Sequence, residues 1–183
     1  MKKITLFMFS IIYLVMWSAN ILHAQEQPEY LGIYKRNPED MAAVNKVITD
    51  FQTAIKTKDG ALLSSLVMYD DIFFISPLPQ DRLEEIRKRP GLEKVMLEHP
   101  TGRLSGFIKS ISETEDALDE KFYNVNIKMD GNAALVTFDY EFIRNEKVQN
   151  YGFETWNMVK VDGLWKIATV FWTVNRLAET VQE

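Results

Sequence analysis

The chain has 183 residues, 46% hydrophobic, 12% aromatic and 26% charged, with a formal charge of −5, two histidines and no cysteine. That length suits one domain, and so many aromatic side chains exclude a disordered chain. The missing cysteine excludes disulfides, thiolate metal sites, iron–sulfur clusters and a cysteine nucleophile, and the negative charge argues against nucleic acid, whose phosphates select a basic face.

Residues 1–24 read as a secretory signal peptide: Lys2 and Lys3, the apolar run Ile4–Trp17, then a more polar stretch ending at Ala24. Cleavage after Ala24 makes the protein secreted or periplasmic. An uncleaved anchor is the alternative, but it needs about 20 predominantly apolar residues, and Thr5, Ser10, Ser18 and Asn20 interrupt this stretch. Removing 24 residues takes two lysines and no acid, which leaves 159 residues, a charge of −7 and His99 as the remaining histidine. No stable membrane insertion is expected after cleavage. A chain of this size buries roughly 68–70% of its unfolded surface, enough for a core without disulfides.

Residues 25–37 form an extended leader. Asn37 is placed to cap a helix with Pro38 at its first position, and Met41, Val44, Ile48, Phe51 and Ile55 make its apolar stripe. Asp59-Gly60 ends it, a short helix follows over Ala61–Val67, and Ile72–Ile75 reads as a buried strand stopped by Pro77. Between 77 and 104, four prolines punctuate helical stretches at Asp81–Lys88 and Leu92–Glu98, the pattern of a surface flap.

The period then changes to two, and Ser105–Ile111, Phe122–Met129, Ala133–Arg144, Tyr151–Val161 and Leu164–Val174 read as strands. Asp130-Gly131 and Asp162-Gly163 are hairpin turns. The order predicts an α+β fold, N-terminal helices packed on one face of an antiparallel sheet. The domain spans residues 38–175, and 176–183 form a tail.

Pairing Val161 with Leu164 sets Trp165, Ile167, Thr169, Phe171 and Thr173 on one face with Met158, Trp156 and Glu154. Tyr123, Val125 and Ile127 share a face with Val136, Phe138 and Tyr140. Joining the hairpins through 145–150 aligns Tyr140, Glu154 and Phe171 on the face the helices cover. Glu154 then falls among aromatic side chains, either reaching water or an arginine at the sheet edge, or serving as a polar anchor or general base in a pocket. The other face would carry Ala168, Val170, Trp172, Tyr151 and Phe153. Such a patch is either a homodimer surface or is covered by a terminal segment.

Two regions resemble the nuclear transport factor 2-like, SnoaL-like superfamily: the helix running into Ala54–Gly60 with Leu62-Leu63 and Tyr69–Phe74, and the stretch Glu154–Ile167 followed by Val170-Phe171-Trp172-Thr173. The resemblance implies a cone-like, cystatin-like roll, a strongly curved sheet wrapped around helices, with a pocket at its open end. Its members include isomerases, dehydratases, epoxide hydrolases, polyketide cyclases and ligand-binding domains. Many carry a histidine on the last strand, where this chain has Phe171, with Thr173 in place of a serine.

Among other groups, His99 has no neighbouring nucleophile and reads as a loop residue. Glu113, Glu115, Asp116, Asp119 and Glu120 lack calcium-loop spacing and read as a solvated loop. Arg87-Lys88-Arg89 reads as a solvated helix end, and Asp139 and Glu141 as surface acids. Neither a metal nor a cofactor is expected. The sequence thus predicts a small-molecule-binding protein whose pocket holds Tyr123, Phe138, Tyr140, Glu154, Trp156 and Phe171. One alternative is a lyase or isomerase with Glu154 as general base and Tyr140 or Tyr123 steadying an oxyanion. Another is a dimeric interaction module whose pocket its own side chains fill.

Overall fold

A computed structural model describes residues 27–96 and 102–177. The expected signal peptide and His99 lie outside the described residues. The chain divides into two units, 1–33 and 34–183. In the first, the Leu31 N–H donates to the Pro28 carbonyl at 3.0 Å, making a single turn.

In the second unit, helix α1 (Pro38–Thr57) starts as expected, with Asn37 Oδ1 accepting from the Asp40 N–H at 2.6 Å. Its buried stripe is Val44, Val47, Ile48, Phe51, Ala54 and Ile55. Helix α2 (Gly60–Ser65) follows at once, capped by Asp59, whose side chain accepts from the Leu62 N–H. Strand β1 (Phe73–Ile75) leads to α3 (Gln80–Arg87), which has no buried residue. Leu92–Met96 forms turns rather than the second helical stretch the prolines suggested.

The segment read as a strand at Ser105–Ile111 is instead helix α4 (Leu104–Glu113). Leu104, Phe107, Ile108 and Ile111 sit three and four apart, and all four are buried or half-buried against the core. The apolar–polar alternation inside that window was a fragment of the helical period.

Four long strands complete the domain: β2 (Leu118–Asp130), β3 (Ala133–Arg144), β4 (Lys147–Val161) and β5 (Leu164–Trp172). The sheet order is β1-β5-β4-β3-β2. β1 runs parallel to β5 and every other pair is antiparallel, so the curved sheet is mixed. The fold is α+β with the helices on its inner face. No helix among the described residues is long and apolar enough to cross a membrane.

The Asp162-Gly163 turn forms as the dipeptide predicts, with φ of 50° and 80°. The β2–β3 turn instead uses Gly131-Asn132, pairing Asp130 with Ala133. The segment 145–150 is mostly strand: Asn145-Glu146 turn the chain with φ of 49° and 65°, and the register slips once between Phe142 and Ile143. Val136 therefore faces Trp156, Phe138 faces Glu154 and Tyr140 faces Gly152, two residues from the expected rows but on the expected side.

Two further bulges reassign side chains. Between Asn157 and Met158 the β4–β5 register skips Ala168, so Thr169 pairs with Asn157 and Ile167 with Met158. Beyond that point inside and outside exchange. Val170 and Trp172 are buried, while Phe171 lies outside at 37% exposure. In β2 the slip between Tyr123 and Asn126, with Asn124 at φ 54°, turns Phe122 inward and Tyr123 outward at 44% exposure.

Phe51, Phe122, Phe138 and Trp156 fill the interior, with Phe122–Phe138 centroids 4.1 Å apart and Phe51–Trp156 4.7 Å apart. Helix α1 is also locked to the sheet through Asp40. Its carboxylate accepts from Trp165 Nε1 at 2.9 Å and pairs with Lys160 Nζ at 2.7 Å. The Lys160 hydrogen bond is the main cause holding this carboxyl below its ordinary range, followed by the Trp165 bond.

Candidate functional site

Beyond the packed aromatic cluster the sheet and helices part, leaving a cavity of about 240 Å³. β1 contributes Phe74, α4 contributes Phe107, β3 Phe142 and β5 Trp172. The rings form a continuous wall: Phe74 lies 4.2 Å from Trp172 and 4.9 Å from Phe107, and Phe107 lies 6.4 Å from Phe142. Two carboxyl groups face this apolar space, Glu154 from β4 and Glu120 from β2.

Glu154 is 3% exposed, and its Oε1 accepts from Trp156 Nε1 at 2.5 Å, two residues along the same strand. Burial pushes its carboxyl up to about 8, although the indole hydrogen bond acts in the opposite direction. Neither an arginine partner nor sheet-edge water accounts for it. Glu120, 6% exposed, has an Oε2 with no hydrogen-bond partner. Burial first, then the charges of Glu154 and Asp119, hold the Glu120 carboxyl well above the ordinary range. At neutral pH Glu154 is mostly protonated, and Glu120 is held toward its protonated form.

The polar rim is tied down. Arg144 lines the cavity, but its guanidinium donates to Asp116 Oδ2 at 3.0 Å. The Tyr140 hydroxyl lies 2.8 Å from the Thr173 carbonyl and 2.9 Å from Asn150 Oδ1, so its single proton is shared between acceptors on β4 and the segment after β5. Gly152, opposite Tyr140, permits that approach, because a Cβ there would lie 2.3 Å from the Thr173 carbonyl oxygen.

Of the six expected pocket residues, Tyr140 and Glu154 line this cavity. Phe138 and Trp156 pack beneath it in the core. Tyr123 and Phe171 lie on the outer face, where Tyr123 donates to Glu141 at 2.8 Å and Phe171 packs 6.3 Å from Phe153. The bulges in β2 and β5 placed them there.

Sequence reasoning missed Glu120, Trp172, Phe107 and Phe142. Glu120 was hidden in an acidic run read as solvated. Its signal was the alternation Leu118, Glu120, Phe122, which extends the strand and points the glutamate inward. No cluster of three or more metal-ligating acids or histidines occurs among the described residues.

Four helices, one curved mixed sheet and a cavity between them define an α+β architecture. The fold is nuclear transport factor 2-like. A protein of that type from Pseudomonas putida, of unknown function, superposes with a TM-score of 0.58 at 10% identity, over 80% of this chain and 94% of that one. A Streptomyces avermitilis protein described as a candidate dehydratase of the NTF2-like family matches with a TM-score of 0.54 at 17% identity, over 76% and 98% of the two chains. A candidate scytalone dehydratase from Novosphingobium aromaticivorans gives 0.53 at 15% identity, over 79% and 95%. No protein-family model and no curated protein sequence matches the chain.

Proposed function

We propose that this is an exported protein that binds a small, largely apolar molecule in the cavity between α4 and the sheet. The observation that carries the reading is the buried Glu120 Oε2, left without a partner at the wall of an aromatic cavity. An unpaired buried polar atom costs about 1–3 kcal/mol, and a ligand with a matching polar group would recover that loss. A ligand-observed NMR screen of fragments, with Leu118→Trp filling the cavity, tests it. Hits that disappear in the filled variant support the reading; a screen without hits, or hits that survive the filling, overturns it.

A second reading is an acid–base lyase or isomerase. It is supported by a Glu154 carboxyl held at about 8, close enough to neutrality to exchange a proton with substrate. Two of the structural neighbours are described as candidate dehydratases. Turnover abolished by Glu154→Gln with binding retained would select this reading.

We also propose a homodimer through the outer sheet face, where Tyr151, Phe153 and Phe171 are exposed together. That patch is smaller than the sequence suggested, since Val170 and Trp172 lie inside.

A further inference from the structure

The two buried carboxyls have no cationic partner inside the cavity. Lys56 of α1 lies 4.0 Å from Asp119, the residue beside Glu120 on its own strand. Arg144 of β3 pairs with Asp116, and α4 presents Phe107, Ser110 and Ile111. Gln52 of α1 donates to the Glu120 backbone carbonyl, which leaves the side chain unanswered. A neutral ligand could satisfy the orphaned oxygen but would leave both carboxyls held in their protonated forms. An anion would oppose ionisation of either one. A cation lets one carboxyl ionise with its buried charge compensated. The wall also carries the rings of Phe74, Phe107, Phe142 and Trp172, beside Tyr140, Asn150 and the Asp116-paired Arg144, and ring faces attract cations in desolvated sites.

We propose that the cavity takes a small organic ammonium ion, its N–H groups accepted by Glu120 and Glu154 and its hydrocarbon lying against these four rings. This rests on the small-molecule reading above and names the class of ligand. The charge balance is simple: the amine enters as R–NH3⁺, one carboxyl gives its proton to solvent, and the complex holds an ammonium–carboxylate pair beside a carboxyl that keeps its proton. Binding therefore releases up to one proton per amine.

Isothermal titration calorimetry with phenethylamine, 2-phenylethanol and phenylacetate on the purified protein tests this, because the three differ in charge at similar size. Repeating the amine titration at pH 7 in two buffers of different ionisation enthalpy counts the protons. The amine should bind at least about tenfold more tightly than the alcohol, with net proton release. Glu120→Gln and Glu154→Gln should each weaken the amine about tenfold or more, and weaken it more than they weaken the alcohol. Proton release in the unmodified protein decides the matter even if a variant fails to fold. An alcohol that binds as well as the amine, or amine binding without proton release, overturns the ammonium assignment and leaves the pocket standing. Failure of all three probes overturns the assignment too, and the fragment screen then says whether the pocket reading falls with it.

Discussion

Glu154 and Glu120 keep protons in the folded chain that the unfolded chain gives up near the ordinary carboxyl value of 4.5. The native state therefore binds more protons above that value, and stability must fall as pH rises from 4.5 to about 8, levelling once the Glu154 carboxyl has ionised. One such group removes up to about 1.4 kcal/mol per pH unit across the window. Asp40 and Asp116 act with the opposite sign, because their carboxyls are held low and their contribution is lost as pH falls through the acid range. Denaturant midpoints should therefore peak in mildly acidic solution, and Glu154→Gln should flatten the descent toward neutral pH. A midpoint that climbs from pH 5 to 8 would contradict the burial of this pair. Trp156→Phe removes the indole donor to Glu154, so the Glu154 carboxyl should titrate higher still in that variant. A carbon-13 titration of the labelled glutamates reads this directly.

At the scale of elements, the bulge at Ala168 decides which aromatic side chain of β5 faces the cavity. Trp172→Ala should cost about 3–5 kcal/mol, the price of an emptied buried aromatic site, whereas Phe171→Ala should cost about 1 kcal/mol or less. Urea denaturation distinguishes the two, and equal losses would mean the register continues unbroken. The four long strands, apart from the starts of β2 and β4, and the Asp162-Gly163 turn were legible because hairpin geometry is local and fixes side-chain parity. Parity also survived the two-residue slip between hairpins, since a slip of two keeps every side chain on its face. A one-residue bulge does not, and no local signal in Lys166–Trp172 marks where β5 must bend around α1. Helix α4 was misread for a related reason. Its apolar residues satisfy both periods over a short window, and only packing of Leu104 and Ile111 settles the choice. The candidate site was half legible. Glu154 and Tyr140 followed from parity, whereas Glu120 required knowing that β2 begins at Leu118.

At the scale of the molecule, the aromatic residues of the sheet and its helices divide between a filled interior, a cavity wall and an outer face. The outer group sets a prediction of its own: sedimentation velocity at micromolar concentration should give a dimer that Phe153→Glu converts to monomer. A monomeric unmodified chain would contradict the dimer and leave the cavity untouched. The formal charge of −5 fits the cavity's preference for a cation, since a negative protein raises the local concentration of positive ligands. What unites the site is a pair of acids kept neutral in an apolar enclosure, and carbon-13 NMR titration of the glutamate side chains in the ligand-free protein tests it most directly. Glu154 should stay protonated through neutral pH and titrate near 8, Glu120 should titrate well above the ordinary carboxyl range, and Glu154→Gln should remove the Glu154 signal. Titration of every glutamate between pH 4 and 5 would contradict the account.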